Sequence, residues 1–140
     1  FAKPVYNSYV LAAKLFEGLL SENAENENIY TIPTKDENGN YSVLLTYASK
    51  RHDERSVPDI TETIHFEEDI KGRNVTLWCI DKDTTNPYSL YKKMGEPKMD
   101  DETIKTLRAE GNMKPIKEFV ADGDITLDLT ANCVYLIEVK

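Results

Sequence analysis

From residue 29 onward, apolar and polar positions alternate with a period of two, the side-chain period of a half-buried strand. Ile29 to Thr34 forms one such run and Tyr41 to Ser49 the next, where Tyr41, Val43, Leu45 and Tyr47 alternate with Ser42, Leu44 and Thr46. Asp36-Glu37-Asn38-Gly39-Asn40 lies between them, and Asn38-Gly39 predicts a hairpin because both residue types accept positive φ. Lys50 to Pro58 reads as a charged loop. The alternation resumes over Ile60 to Phe66, with Ile60, Ile64 and Phe66 on one side, and a turn at Lys71-Gly72-Arg73-Asn74 leads into Val75 to Asp81. Three more runs follow: Ile116 to Ala121, Ile125 to Leu129 after the turn Asp122-Gly123-Asp124, and Cys133 to Val139. Short strands separated by turn signals predict an antiparallel, Ig-like β-sandwich.

Two stretches carry a helical period instead. Val5, Tyr9, Ala12, Leu15, Phe16, Leu19 and Leu20 recur at three- and four-residue spacing, which predicts a helix over 4–20 that begins at Pro4. The acidic, polar stretch 21–28 after it reads as a linker, so the helix is expected to be an appendage on a separate domain. Residues 86–112 read as a small helical insertion. Tyr88, Tyr91 and Met94 share one face, and a second helix is capped by Asp100 or Asp101, faces inward at Ile104 and Leu107, and ends at Gly111. The predicted organisation is a helix within 1–21 and a mainly β sandwich over 29–140.

Size and charge narrow the class of molecule. A chain of 140 residues and 16.0 kDa is one domain's length, with a core that needs no metal or disulfide staple. A net charge of −8 argues against nucleic acid and against an anionic membrane surface as partners. No apolar run approaches the ~18–20 residues of a spanning helix. The first residue is Phe1, and no leader pattern follows it, as expected of a chain processed or cut from something longer.

Candidate chemistry is sparse. Cys79 and Cys133 each sit in an apolar run, as buried free thiols do; a disulfide between two sandwich strands is the alternative, and neither has the CxxC or His neighbour of a metal or nucleophilic site. His52 lies in a charged loop, and His65 points outward from a strand. Asp81-Lys82-Asp83 starts like a calcium loop, but Asn86 and Lys92 stand where glycine and glutamate belong. No phosphate loop, nucleophile elbow or other cofactor motif is present, and no carboxylate pair is singled out by its neighbours. The aromatic residues, with Trp78, Tyr88 and Tyr91 foremost, raise a carbohydrate-binding reading, since sugar faces stack on exposed rings; core filling is the competing reading.

The stretch from Leu77 to Gly95, Leu-Trp-Cys-Ile-Asp-Lys-Asp-Thr-Thr-Asn-Pro-Tyr-Ser-Leu-Tyr-Lys-Lys-Met-Gly, resembles the C-terminal region of glycoside hydrolase family 39, the β-xylosidases and α-L-iduronidases. There a strand leads to Asp, Asn-Pro-Tyr, a second aromatic residue and Met-Gly. Pro97 and Leu107 fit the helix that follows, Leu136-Ile137-Glu138 fits the last strand, and Lys3-Pro4-Val5-Tyr6-Asn7 looks like the last helix of that family's barrel. At Tyr91 the family more often has Trp, and 50–58 matches nothing in it. The resemblance implies a non-catalytic accessory sandwich whose parent carries its two catalytic Glu residues on a preceding (β/α)8 barrel. Its expected partners are that barrel, a xylo-oligosaccharide or a second copy. Leu15, Phe16, Leu19 and Leu20 are expected to face the barrel. An Ig-like protein-interaction domain is the further alternative.

Overall fold

The computed structural model describes residues 3–21, 25–49 and 57–140. The chain runs α1 (Pro4–Ala12), β1 (Gly18–Leu19), β2 (Ile29–Lys35), β3 (Tyr41–Tyr47), β4 (Ile60–Ile64), β5 (Asn74–Ile80), α2 (Pro87–Lys93), α3 (Asp101–Gly111), β6 (Lys117–Val120), β7 (Ile125–Leu129) and β8 (Cys133–Val139). Among the described residues the strands form two antiparallel sheets, one of six strands in the order β1-β2-β3-β8-β5-β6 and one of two, β4-β7. This is the expected sandwich, with unequal layers.

Period-two alternation explains how the large sheet serves two cores. Tyr41, Val43, Leu45, Val75, Leu77, Cys79, Tyr135, Ile137 and Val139 point inward, against Ile125, Leu127 and Leu129 of the small sheet. Trp78, Ile80 and Leu136 point outward and are covered by Leu11 of α1. β5 and β8 are therefore buried on both faces, as central strands are. Two tyrosines tie the layers together: Tyr47 donates to the Pro58 carbonyl at 2.6 Å, and Tyr135 donates to the Asp128 carbonyl at 3.1 Å.

The first helix is shorter than its spacing predicts. It ends at Ala12, and the apolar residues beyond it belong to a turn and to β1, which pairs with β2. Two polar side chains of the large sheet capture the chain at that point. Thr34 Oγ1 accepts from the Phe16 amide at 2.9 Å and donates to the Ser42 carbonyl at 2.6 Å, while Ser42 Oγ donates to the Lys14 carbonyl at 3.0 Å. Leu19 and Leu20 consequently sit on the surface rather than on a helix face. The helix is also more firmly held than an appendage. Leu11 is fully buried, and buried Asn7 donates to the Gly111 carbonyl at the end of α3 at 2.7 Å.

The hairpin between β2 and β3 is not a two-residue turn. Gly39 alone has positive φ there, and the Asp36 carboxylate organises five residues by accepting from the Asn38 and Asn40 amides. The insertion holds two helices, α2 capped by Asn86 and α3 capped by Asp100.

Candidate functional site

The large sheet overhangs the small one and leaves a cleft of about 660 Å³ between them. Its roof is the inner face of β2 and β3, with Ile29, Pro33, Val43 and Leu45. Its opposite wall is the strand edge and following turn from Glu62 to Glu68. At one end Tyr41 and Phe66 pack with ring centroids 5.0 Å apart, and Lys35 and Arg73 each lie 5.4 Å from the Tyr41 ring. Lys35 pairs with Glu68 at 2.7 Å. That bond, with the Tyr41 hydroxyl beside it, holds the Glu68 carboxyl below the usual carboxylate range. Burial pushes the Tyr41 phenol up. The arrangement is an aromatic floor with a polar, mainly acidic rim.

The segment from Asp81 to Lys93 is built by local capping. Asp81 Oδ1 accepts from the Asp83 and Thr84 amides at 2.8 and 2.6 Å, an Asx-type turn rather than a cation loop. Asp83 is engaged by Lys93 and Ser89, and the Lys93 bond holds its carboxyl low. Thr85 sits at φ 53, a strained setting for a β-branched residue, and donates to the Cys79 carbonyl at 2.9 Å. No cluster of three or more metal-ligating side chains occurs among the described residues.

The three aromatic residues singled out in sequence do not share an exposed surface. Trp78 is 8% exposed, in the outer core beneath Leu11, with Lys14 Nζ 4.9 Å from its ring. An exposed Trp78 is thus corrected: the covering helix and the lysine occupy its ring face. Tyr88 is 65% exposed and Tyr91 is half-buried. Cys79 and Cys133 are free and buried, and burial raises both thiols, Cys79 to about 12. His65 is exposed and pairs with Asp124 at 2.6 Å. His52 lies outside the described residues. Sequence reasoning missed Tyr41 and Phe66 as neighbours, because the small sheet's narrowness has no signature in either strand alone.

No protein-family model and no curated protein sequence matches the chain. Solved structures do. A monomeric beta-xylosidase from Caulobacter crescentus CB15 superposes on 99% of this chain with a TM-score of 0.72 and 16% identity. A GH39 enzyme from Xanthomonas axonopodis pv. citri gives the same figures. A bacterial orthologue of human α-L-iduronidase covers 79% of the chain with a TM-score of 0.56 and 16% identity. The chain spans 30% of the length of the first two and 22% of the third. At these identities the shared feature is the fold.

Proposed function

We propose that this chain is the non-catalytic accessory sandwich of a family-39-like glycosidase, β-xylosidase-like, which supports a catalytic (β/α)8 barrel. The observation that carries the reading is coverage: nearly all of this chain lies on less than a third of enzymes that hydrolyse glycosides by name. The Asn-Pro-Tyr to Met-Gly stretch of the sequence supports it, because those residues here cap and build α2. In this reading α1 is the last helix of the barrel, while Gly18 and Leu19 belong to the sandwich as β1. Val5, Tyr6 and Tyr9, exposed on the side of α1 away from Leu11, are the residues that pack there.

The parent open reading frame tests the proposal. It is expected to hold about 250 residues of βα repeats with a pair of Glu residues at strand ends. Full activity on an aryl xyloside by the 140 residues alone would contradict the accessory role.

A carbohydrate-binding module is the second reading, favoured by the exposure of Tyr88. It retains Tyr88 and Tyr91 and drops Trp78. Titration with xylo-oligosaccharide should then shift the NMR signals of Tyr88; no shift at millimolar sugar removes this reading.

A further inference from the structure

The hairpin between β2 and β3 carries a chemistry beyond its role as a turn. Of the ten asparagines in the sequence, Asn38 alone precedes a glycine. The backbone nitrogen of the following residue can reach an asparagine's own carboxamide carbon through a five-membered ring. A side chain on that following residue crowds the approach, and glycine has none. Asparagine is a thermolabile residue, most of all in this setting.

The structure leaves this pair open where it closes others. The Asn38 side chain is exposed, and its carboxamide has no hydrogen-bond partner among the described residues. The Asp36 carboxylate takes the Asn38 and Asn40 amides at 2.9 Å each, whereas the Gly39 amide has only a long bond, 3.3 Å, to the Asp36 carbonyl. Gly39 lies at φ 81, and a Cβ added there would meet nothing nearer than Lys35 Cε at 3.9 Å. Other asparagines are held back. Asn40 donates its carboxamide to Asp36 at 2.8 Å, and buried Asn7 donates to the Gly111 carbonyl at 2.7 Å. Asn86 caps α2 in front of Pro87, which has no N–H to give up.

We propose that Asn38 is a site of spontaneous covalent modification in the folded protein, converting through a succinimide to aspartate and isoaspartate. Water or hydroxide takes the Gly39 amide proton, and that nitrogen bonds to Asn38 Cγ. The bond from Cγ to the carboxamide nitrogen breaks, and this nitrogen takes up a proton and leaves as ammonia. Water then opens the ring. Opening at Cγ gives aspartate; opening at the main-chain carbonyl gives isoaspartate, in which the chain continues through Cβ and Cγ. One water is consumed and one ammonia released, so no oxidant or second protein is required.

The product adds a carboxylate beside Asp36 and Glu37, and isoaspartate lengthens the chain by a carbon inside a tight turn. Arg73 ties that turn to β8, donating to the Gly39 carbonyl at 2.8 Å and to the Val139 carbonyl at 3.3 Å. A longer chain moves the Gly39 carbonyl away from Arg73, so the modification loosens the hairpin at its tip.

Peptide mapping that separates asparagine, aspartate and isoaspartate forms tests this, after incubation at mildly alkaline pH with and without denaturing urea. In the folded protein Asn38 is expected to convert before every other asparagine. Its rate should lie within about 10-fold of the rate in urea, as for a segment that opens at little cost. The isoaspartate form should exchange its Asn40 amide faster than the unmodified protein. Asn38→Ser, which keeps a turn-forming residue, should remove the earliest product and leave the rest of the map unchanged. An Asn38 that converts in urea but stays intact when folded would overturn the proposal, because the turn then holds the pair apart. Earlier conversion at another asparagine, or survival of the earliest product in Asn38→Ser, would overturn it as well.

Discussion

At the scale of single residues, several positions are fixed by contacts that hydrophobic pattern does not describe. A Cβ added at Gly18 would meet the Lys35 carbonyl oxygen at 2.5 Å, and that atom is backbone. Gly18→Ala should therefore cost about 1–3 kcal/mol. The damage should be confined to β1, read as faster exchange of the Leu20 amide, which donates to the Pro33 carbonyl at 2.9 Å. Cys79 makes a pH prediction. The unfolded thiol ionises near 9.0 and the folded one near about 12, so the unfolded state releases its proton first. Its contribution is complete below pH 9 and is lost as pH rises toward 12; burial of Tyr41, Tyr47 and Tyr135 acts in the same direction. Urea midpoints should fall across that range, and less steeply for Cys79→Ala. An unchanged slope would assign the alkaline loss to the tyrosines.

At the scale of elements, the strands from β2 onward were legible because each turns at least one face to the core, whereas β1 lay inside the expected helix. The cap of α3 was legible to within one residue: of the two candidates Asp100 and Asp101, it is Asp100 that accepts from the Thr103 amide, at 2.8 Å. Asp100→Ala should lower stability by about 1 kcal/mol. Hydrogen bonding to the Thr103 amide holds that carboxyl low, so the wild-type advantage should fade as pH falls through the acid range. The end of α1 was not legible. Leu15, Leu19 and Leu20 keep a helical spacing, but the buried hydroxyls of Thr34 and Ser42, far along the chain, decide where the helix stops. Leu11→Ala should cost about 2–5 kcal/mol. It should release α1, seen as lost far-UV helicity with the sandwich amides still protected.

At the scale of the whole molecule, the sequence announces a sandwich but not the partition of strands between its layers. A strand's pattern reports that a face is covered and is silent on what covers it. Among the described residues, six strands against two, and the cleft beside them, follow from the topology of connections. The candidate aromatic site was misjudged at Trp78 for a related reason. Leu77 and Cys79 face the inner core, which sends Trp78 to the opposite side, and Leu11 of α1, far earlier in the sequence, closes over it.

The two-sided sheet has a consequence for how substitutions combine. Leu136 and Ile137 are bonded neighbours, yet Leu136 packs with Leu11 and Trp78, while Ile137 belongs to the cluster of Val43 and Leu127. Residues with no shared partners add in their effects, and residues in contact do not. Double-mutant cycles should therefore give near-zero coupling for the adjacent pair Leu136→Ala and Ile137→Val. They should give a measurable term, about 0.5 kcal/mol or more, for Leu11→Ala with Leu136→Ala. Along β8, energetic adjacency skips every second residue, so the domain can be retuned on its outer surface without disturbing the interior that gives it its shape.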